Sequence, residues 1–397
     1  MSGATPRRLQ RYVLRRLRLR AYLQAPGEGR RRPQIGAPIL LWALLIGLIL
    51  REWSFHALEA LVRSPARRGL GVGRSFSEDT LAYFTERLEP GPTRAALGAT
   101  VRQAKRNKAF DGSRWIGLAL DGTGAGRCRE AHCALCHPIR DEQGRVHGHL
   151  HHLCLVSVVG TEVVLPVDLE PYPPGDSEYG AGQRVLERAV TTLGRRFAQY
   201  VVVDGEFATA PFLHLAGELG LRVVARLKGN LPELSTAAQA RFTAQPPTAT
   251  FEDGRDRVEV WDADDFDPWE TLRWPTVRVL RYRQPKPDGP CVEAYWLTDW
   301  PMREVGSRAL YRMAKSRWEI ENQGFNDAKS RYGLEHLSHH HVTSILVRWL
   351  LVLFALTVER LYRLRYLRRG RHHPHTAIEL VRLLRLSLCP PRPPDTS

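Results

Sequence analysis

The sequence predicts an α/β protein in which a mixed sheet is flanked by helices, with a β-rich insertion and helical N- and C-terminal regions. Short apolar runs alternate with helical patterns across residues 111–231, alternating β patterns fill residues 232–300, and a helical period dominates the flanking segments. The 397 residues, 43% hydrophobic and 25% charged, suffice for two or three domains with a large core. This composition excludes a disordered, collagen-like or disulfide-scaffold protein.

The net charge indicates a polyanionic partner. Lys and Arg total 58 against 42 Asp and Glu, which gives a formal charge of +16. A charge of this size favours nucleic acid first and an anionic membrane surface second. Near the N-terminus, Arg7, Arg8 and Arg11 recur at helical spacing. They form either a phosphate-binding arm or a solvated tail, and the sequence leaves both open.

Changes in composition divide the chain into five regions. In order, we expect a basic, mainly helical region that binds DNA, the first part of an α/β core, a β-rich insertion, a second core segment, and a basic helical region with a Pro-rich tail. Their predicted bounds are 1–110, 111–231, 232–300, 301–345 and 346–397.

An apolar run at residues 35–50 raises the question of a membrane segment. It is sixteen residues long and includes Pro38, whereas a spanning helix needs about twenty apolar residues. A second apolar stretch, 345–357, contains Arg348. We therefore expect a buried helix at 35–50 and no stable membrane association, with a membrane anchor as the alternative. The N-terminus has no signal-peptide pattern, so we expect a reducing compartment, the cytoplasm.

The core elements follow an order typical of an open α/β sheet. RWIGLALD (114–121) is a predicted buried strand, and the glycine-rich GTGAG at 122–126 is a predicted turn. Further strands are predicted at 153–159, 162–169, 200–207 and 222–229, and helices at 180–198 and 209–220. The turn lacks the full GxGxxG spacing, so a nucleotide-binding loop is a minor alternative.

Three carboxylates stand out. Asp121 and Asp204 follow apolar strand residues, and that edge of an open α/β sheet is where ligands and metals bind. Glu321 lies in a predicted helix over 304–333. Arg317 and Lys329 lie one turn before it and two turns after it, near one helix face. A surface helix with an Arg–Glu ion pair is the alternative. Other carboxylates fall in predicted loops, where we expect them to be solvated: Asp141, Glu142, Asp264, Asp265 and Asp267.

Three sequence motifs identify a related family. RWEIENQGFNDAKSRYGLEH (317–336) is the most specific, and LDGTG at Asp121 and VVVDGEFA at Asp204 accompany it. Their order, with a β-rich segment before the third, resembles the DDE transposases of bacterial insertion sequences over residues 110–345. The chain departs from the family pattern at Ala314, where a Tyr is usual, and the Glu–Lys spacing is one residue longer than the commonest.

The resemblance implies an RNase H-like core and a protein that cleaves and joins DNA strands in cut-and-paste transposition. It implies that Asp121, Asp204 and Glu321 are the catalytic ligands of Mg²⁺ or Mn²⁺, and that Arg317 and Lys329 contact DNA phosphates. The partners would be double-stranded DNA, at the element ends and the target, and a second copy of the chain. A non-catalytic DNA-binding protein on a decayed core is the alternative.

This chemistry constrains the site. Two divalent ions about 3.5–4 Å apart can activate the attacking oxygen and stabilise the leaving one in phosphoryl transfer. The three carboxylates should therefore converge, and we expect like-charge repulsion to raise the pKa of each.

A Cys/His-rich loop at 128–154 is a second candidate site. Cys133 and Cys136 have the spacing of a zinc half-site, and His152 is the predicted further ligand. Other candidates are Cys128, His137, His147, His149, His151 and Cys154. A loop of reduced thiols with exposed histidines remains the alternative to a structural Zn²⁺ site.

Overall fold

The computed structural model describes residues 4–286, 289–367 and 376–388, and in these residues a ten-stranded mixed sheet is flanked by helices. The fold class predicted from the sequence is confirmed. The Pro-rich tail lies outside the described residues, and the predicted domain boundaries stay predictions.

In the part of the chain that the structure describes, seven helices precede the sheet. They are α1 (Pro6–Arg15), α2 (Arg20–Gln24), α3 (Ala37–Ile49), α4 (Phe55–Arg63), α5 (Ala66–Leu70), α6 (Glu78–Glu86) and α7 (Pro90–Arg106). Helix α3 corresponds to the apolar run, and every residue from Leu40 to Ile49 is buried. Protein therefore covers this helix on all sides, which favours the core-helix interpretation over a membrane anchor.

The strands and intervening helices follow. They are β1 (Gly117–Cys128), β2 (His137–Arg140), β3 (Val146–Val159), β4 (Leu165–Tyr172), α8 (Glu178–Leu193), β5 (Tyr200–Val203), α9 (Ala210–Glu218), β6 (Arg222–Leu227), α10 (Pro232–Ala244), β7 (Ala249–Asp253), β8 (Asp256–Phe266), β9 (Val277–Lys286) and β10 (Gly289–Thr298).

The core of the sheet has the order β4-β3-β1-β5-β6. The pairs β4–β3 and β3–β1 are antiparallel, and β1–β5 and β5–β6 are parallel. Three antiparallel strands are thus followed by two parallel ones, which makes this part of the sheet mixed.

Strand β1 differs from the prediction. It continues past Asp121 through the glycine-rich segment to Cys128, paired with β3 throughout except at an irregularity between Gly124 and Arg127. The predicted turn at 122–126 is therefore wrong, and so is the nucleotide-binding loop. Glycine also occurs within strands, and here the paired strand β3 continues alongside this segment of β1.

The β-rich insertion does not form a sheet of its own. Strand β10 pairs with β6, and β9, β8 and β7 follow outward in antiparallel order. The insertion therefore extends the central sheet, and Asp264 and Asp265 lie in β8 rather than in a loop.

The segment after the insertion is interrupted rather than one long helix. It consists of α11 (Ser307–Lys315), α12 (Arg317–Glu319), a π-helical turn (Ile320–Phe325) and α13 (Asn326–Tyr332). The π turn contains Glu321. Such turns occur mostly as single insertions in helices and are frequent at functional sites.

Two helices end the described chain, α14 (Val342–Tyr366) and α15 (Ala377–Leu386). Among the described helices, only α14 is long and apolar enough to cross a membrane by length and composition, and it is mostly buried. It packs on α3, α7 and β4. Arg348 is buried within it and donates to the His336 carbonyl at 2.7 Å. This helix therefore forms a large part of the core.

A buried ion pair connects the insertion to the segment that leads to Glu321. The Arg278 and Asp262 side chains are 1% and 0% exposed and form two hydrogen bonds of 2.8 and 2.6 Å. Arg278 also donates to the carbonyls of Trp300 and Val305, just before α11. Its guanidinium therefore fixes β8, β9 and the entry to α11 relative to one another.

Arg278→Ala should lower the free energy of unfolding by about 3–5 kcal/mol, because it leaves a buried carboxylate without a partner. Arg257→Ala is the control, since the Arg257 side chain in its ion pair with Glu259 is 69% exposed and the pair should contribute less than about 1 kcal/mol. Urea unfolding measures both. Equal losses in the two variants would contradict the proposed importance of the buried pair.

Candidate active site

Strand register brings Asp121 and Asp204 to the same level of the sheet. The parallel strands β1 and β5 pair Gly117 with Tyr200 and Ala119 with Val202. The same offset, continued two residues further, places Asp121 level with Asp204, which directly follows β5. Their positions therefore follow from the register of two neighbouring strands.

Arg317 joins Glu321 to this edge. Its Nη1 donates to Glu321 Oε1 at 2.8 Å and lies 3.4 Å from Asp121 Oδ2. Two carboxylates separated by 200 residues thus share a single guanidinium nitrogen. The helical segment containing Glu321 therefore faces β1 at Asp121, which is one of the contacts that the predicted convergence requires.

The π turn explains the unusual spacing noted in the sequence. A π turn contains one residue more than an α-helical turn, so it shifts the following residues by one position around the axis. Lys329 lies eight residues after Glu321. With the π turn between them, this spacing corresponds to two α-helical turns plus one inserted residue.

Burial raises the pKa of Asp121 to about 7, against the opposing charge of Arg317. The negative charges of Glu321 and Glu178 contribute to the same rise in the pKa. Asp121 is thus a carboxylate in a poorly solvated and negatively charged position. Such a position favours a bound proton or a bound cation.

Asp204 does not show the raised pKa that the sequence argument predicts. Burial would raise the pKa of this carboxyl, but Lys228 Nζ donates to its Oδ2 at 2.6 Å and brings the pKa below its ordinary value. The backbone N–H of Gly205 and the charge of Arg317 act in the same direction. The prediction for Asp204 is therefore wrong, because it did not include Lys228, which directly follows β6.

Glu178 is a fourth carboxylate at the site and was not predicted from the sequence. It lies in the first turn of α8, and burial followed by the charge of Glu206 raises its pKa. A Cβ atom at Gly122 would lie 2.1 Å from the Glu178 carboxyl carbon. Gly122 therefore lets this carboxylate pack against the backbone of the residue after Asp121.

The predicted DNA-contacting residues have different surroundings. Arg317 is 6% exposed, forms hydrogen bonds with the two carboxylates and lies over the Trp318 ring. Lys329 pairs with Glu335 at 3.2 Å. Arg7, Arg8 and Arg11 are exposed on α1, whose Tyr12 packs on Tyr362 and Tyr366. Helix α1 is therefore anchored to α14 rather than frayed, and the phosphate contacts of these residues stay predictions.

The Cys/His segment forms a compact cluster with a ligand set that differs from the prediction. Cys133, Cys136 and Cys128 come together with His151 rather than with His152. The His152 ring instead lies 4.6 Å from that of His137. His151 and His152 are consecutive residues of β3 and so lie on opposite faces of the sheet. A Cys/His site therefore exists, with one predicted ligand replaced and Cys128 added.

The sequence comparison identifies the family. The family described as "Transposase DDE domain" matches residues 116–358, more than half of the chain. The chain belongs to this transposase family. The match includes Asp121, Asp204 and Glu321, and the resemblance inferred from the three motifs is confirmed. No curated protein matches the sequence.

A solved transposase shares the fold. The chain is similar to the piggyBac transposase in a cryo-EM structure of its synaptic complex with hairpin DNA, with a TM-score of 0.51 and 13% identity. The similarity covers 98% of this chain and 80% of that one. At this identity the likeness concerns the fold alone.

The carboxylates of this transposase fit a divalent cation. Their oxygens are the ligand type that Mg²⁺ and Mn²⁺ prefer. In the structure, a positively charged guanidinium nitrogen lies between Asp121 and Glu321, so two carboxylates already face one cationic position. The donor set and its charge are therefore suited to a hard cation.

The pKa of Asp121 predicts how stability depends on pH without divalent cations. Its ordinary pKa of 3.8 rises to about 7 in the folded protein, so between these values the folded protein holds one more proton. From about pH 5 to about pH 8 this group should lower the stability by about 2–3 kcal/mol. Asp121→Asn should remove that loss, as measured by urea unfolding in Mg²⁺-free buffer.

Asp204→Asn is the matched control for this measurement. The pKa of Asp204 is lowered, so its stabilising contribution is complete across the same pH range and is lost only in more acidic solution. This variant should keep the wild-type pH dependence. If Asp121→Asn also kept it, Asp121 would not be the group responsible.

Proposed function

We propose that the protein is a DDE transposase that uses Asp121, Asp204 and Glu321 to cleave and join double-stranded DNA in cut-and-paste transposition of an insertion sequence. The observation that supports this most strongly is the contact of one Arg317 nitrogen with both Asp121 and Glu321. This contact links β1, at Asp121, to the third motif of the family, which contains Glu321. A surface helix with a local ion pair would not reach the sheet.

In this proposal each carboxylate has a defined supporting contact. Asp121 and Glu321 face each other across Arg317, and Lys228 orients Asp204 through its 2.6 Å hydrogen bond. Mg²⁺ or Mn²⁺, when bound by the three acids, would supply charge stabilisation at the phosphate undergoing transfer. The rigid strands β1 and β5 keep two of the acids in place while DNA binds.

The DNA partners follow from charge and from the shared fold. The net charge of +16 favours a polyanion, and the piggyBac neighbour was solved in a synaptic complex with hairpin DNA. We extend DNA binding to this chain, at the element ends and at the target. We also propose that two copies act together in the DNA complex, in the cytoplasm at the nucleoid.

Alanine substitution of Asp121, Asp204 or Glu321 tests the catalytic assignment. Each variant should lose Mg²⁺- or Mn²⁺-dependent strand cleavage by about 10³-fold or more, since each removes a charged ligand at the reacting phosphate. DNA binding should remain, because phosphate contacts elsewhere supply most of the affinity. Cleavage is measured on labelled duplexes that contain the element ends, and binding on the same duplexes by mobility shift.

Asp141→Ala is the control for this experiment. Asp141 is a carboxylate in the β2–β3 turn, where it accepts hydrogen bonds from Arg145. The Asp141→Ala variant should keep full cleavage activity. If wild-type protein bound the element ends but the three variants cleaved them as well as wild type did, the non-catalytic DNA-binding alternative would be favoured.

The exposed arginines of α1 predict a salt-dependent contribution to DNA binding. Replacement of Arg7, Arg8 and Arg11 by Ala should reduce the slope of log affinity against log salt by up to about 3, one unit for each lost phosphate contact. Arg255, Arg257 and Arg273 are exposed in the insertion and provide a control with the same loss of charge. Equal slopes for the two triple variants would exclude a specific role for α1.

A further inference from the structure

Four side chains of the Cys/His cluster lie close together where the β1 strand ends beside β3. The sulfur of Cys136 lies 3.9 Å from that of Cys128 and 3.8 Å from that of Cys133. His151 Nε2 lies 3.2 Å from Cys133 Sγ and 3.5 Å from Cys136 Sγ. A ring nitrogen of His151 also lies within 4.8 Å of the Cys128 sulfur.

The four separations of 3.2–3.9 Å are close to the edges of a metal-centred tetrahedron. Cys128, Cys136 and His151 form a group whose ligand atoms all lie within 4.8 Å of one another, and Cys133 contacts two of its members. With metal–sulfur bonds of about 2.3 Å and a metal–nitrogen bond of about 2.05 Å, the sulfur–sulfur edges are about 3.8 Å and the sulfur–nitrogen edges about 3.6 Å. A disulfide would need the sulfurs at about 2.05 Å. The cluster therefore has the dimensions of a coordination site rather than of a disulfide.

The surroundings prepare the same atoms for coordination. His151 Nδ1 donates to the Gly126 carbonyl at 2.9 Å, which leaves Nε2 without the proton and directed at the sulfurs. The backbone N–H of His132 donates to Cys136 Sγ at 3.4 Å. A backbone donor to a sulfur stabilises a thiolate, the form of cysteine that binds metal.

We propose that Cys128, Cys133, Cys136 and His151 bind one Zn²⁺ in a closed, structural site. Three thiolates and one imidazole in a tetrahedral arrangement select Zn²⁺ among common divalent metals. Four protein ligands leave no open position for water or substrate, so the ion stabilises the fold and takes no part in DNA cleavage. This proposal is independent of the carboxylate site.

The proposed zinc ion would link three segments of the chain through its ligands. Cys128 ends β1, Cys133 and Cys136 lie in the following loop, and His151 belongs to β3. The His151 ring also packs edge-on against Trp349 of α14, at 6.3 Å between centroids. Because Asp121 lies on β1 seven residues before Cys128, the ion holds the far end of the strand that positions this acid, roughly 20 Å away.

Metal analysis of the full-length protein, purified without chelator or a metal-affinity tag, is the direct test. We expect close to one zinc per chain and negligible iron. Cobalt exchanged into the same protein should give the intense visible absorption of a tetrahedral cobalt–thiolate site. Absence of zinc, or iron in its place, would overturn the proposal.

Paired variants identify the ligands. His151→Asn should lose the zinc, whereas His152→Asn, one residue further along β3, should retain it. Cys136→Ser should lose it, and Cys291→Ser, at an exposed cysteine, should retain it. Loss of zinc in His152→Asn but not in His151→Asn would overturn the ligand set, even if the cysteine variants failed to fold.

A chelator should lower the melting temperature of wild-type protein in Mg²⁺-free buffer by several degrees, and added Zn²⁺ should restore it. DNA cleavage is not needed for any of these measurements. The zinc site and the DNA-cleaving function can therefore fail or succeed separately. An unchanged melting temperature in protein shown to have lost its zinc would contradict the structural role.

Discussion

The guanidinium of Arg317 is the contact on which the geometry of the carboxylate site depends. It is buried, and one of its nitrogens touches both Asp121 on β1 and Glu321 on the π turn. Without it, two carboxylates from distant parts of the chain would face each other without this cation to offset their repulsion. Glu321 is therefore held at the sheet edge by an electrostatic contact as well as by helix packing.

The rest of the fold positions β1 and the helical segment with Glu321, which Arg317 connects. Parallel pairing of β1 with β5 sets the level of Asp121 and Asp204, whereas the insertion sets the approach of the helix. The bidentate Arg278–Asp262 pair reaches the carbonyls just before α11. A substitution in the insertion can therefore change the position of Glu321 through α11, although none of the carboxylates is itself replaced.

Sequence patterns predicted the residues whose signals are local, and missed those that depend on tertiary contacts. Asp121 and Asp204 each follow an apolar strand, and Glu321 has a specific motif around it. Glu178 gave no such signal, because an acid in the first turn of a helix is explained by the helix dipole alone. The choice of His152 over His151 failed for a similar reason, since only the register of β3 decides which histidine faces the cysteines.

The charges of the carboxylate site also explain how it can be stable without a bound metal. Asp121 and Glu321 share Arg317, and Asp204 has Lys228, so each of the three acids has a cationic neighbour. Glu178 adds a further negative charge beside Asp121, whose pKa is raised to about 7. Two cations thus offset at least four acids, and an unbalanced negative charge remains. A divalent cation would neutralise that charge, and below about pH 7 a proton on Asp121 neutralises part of it.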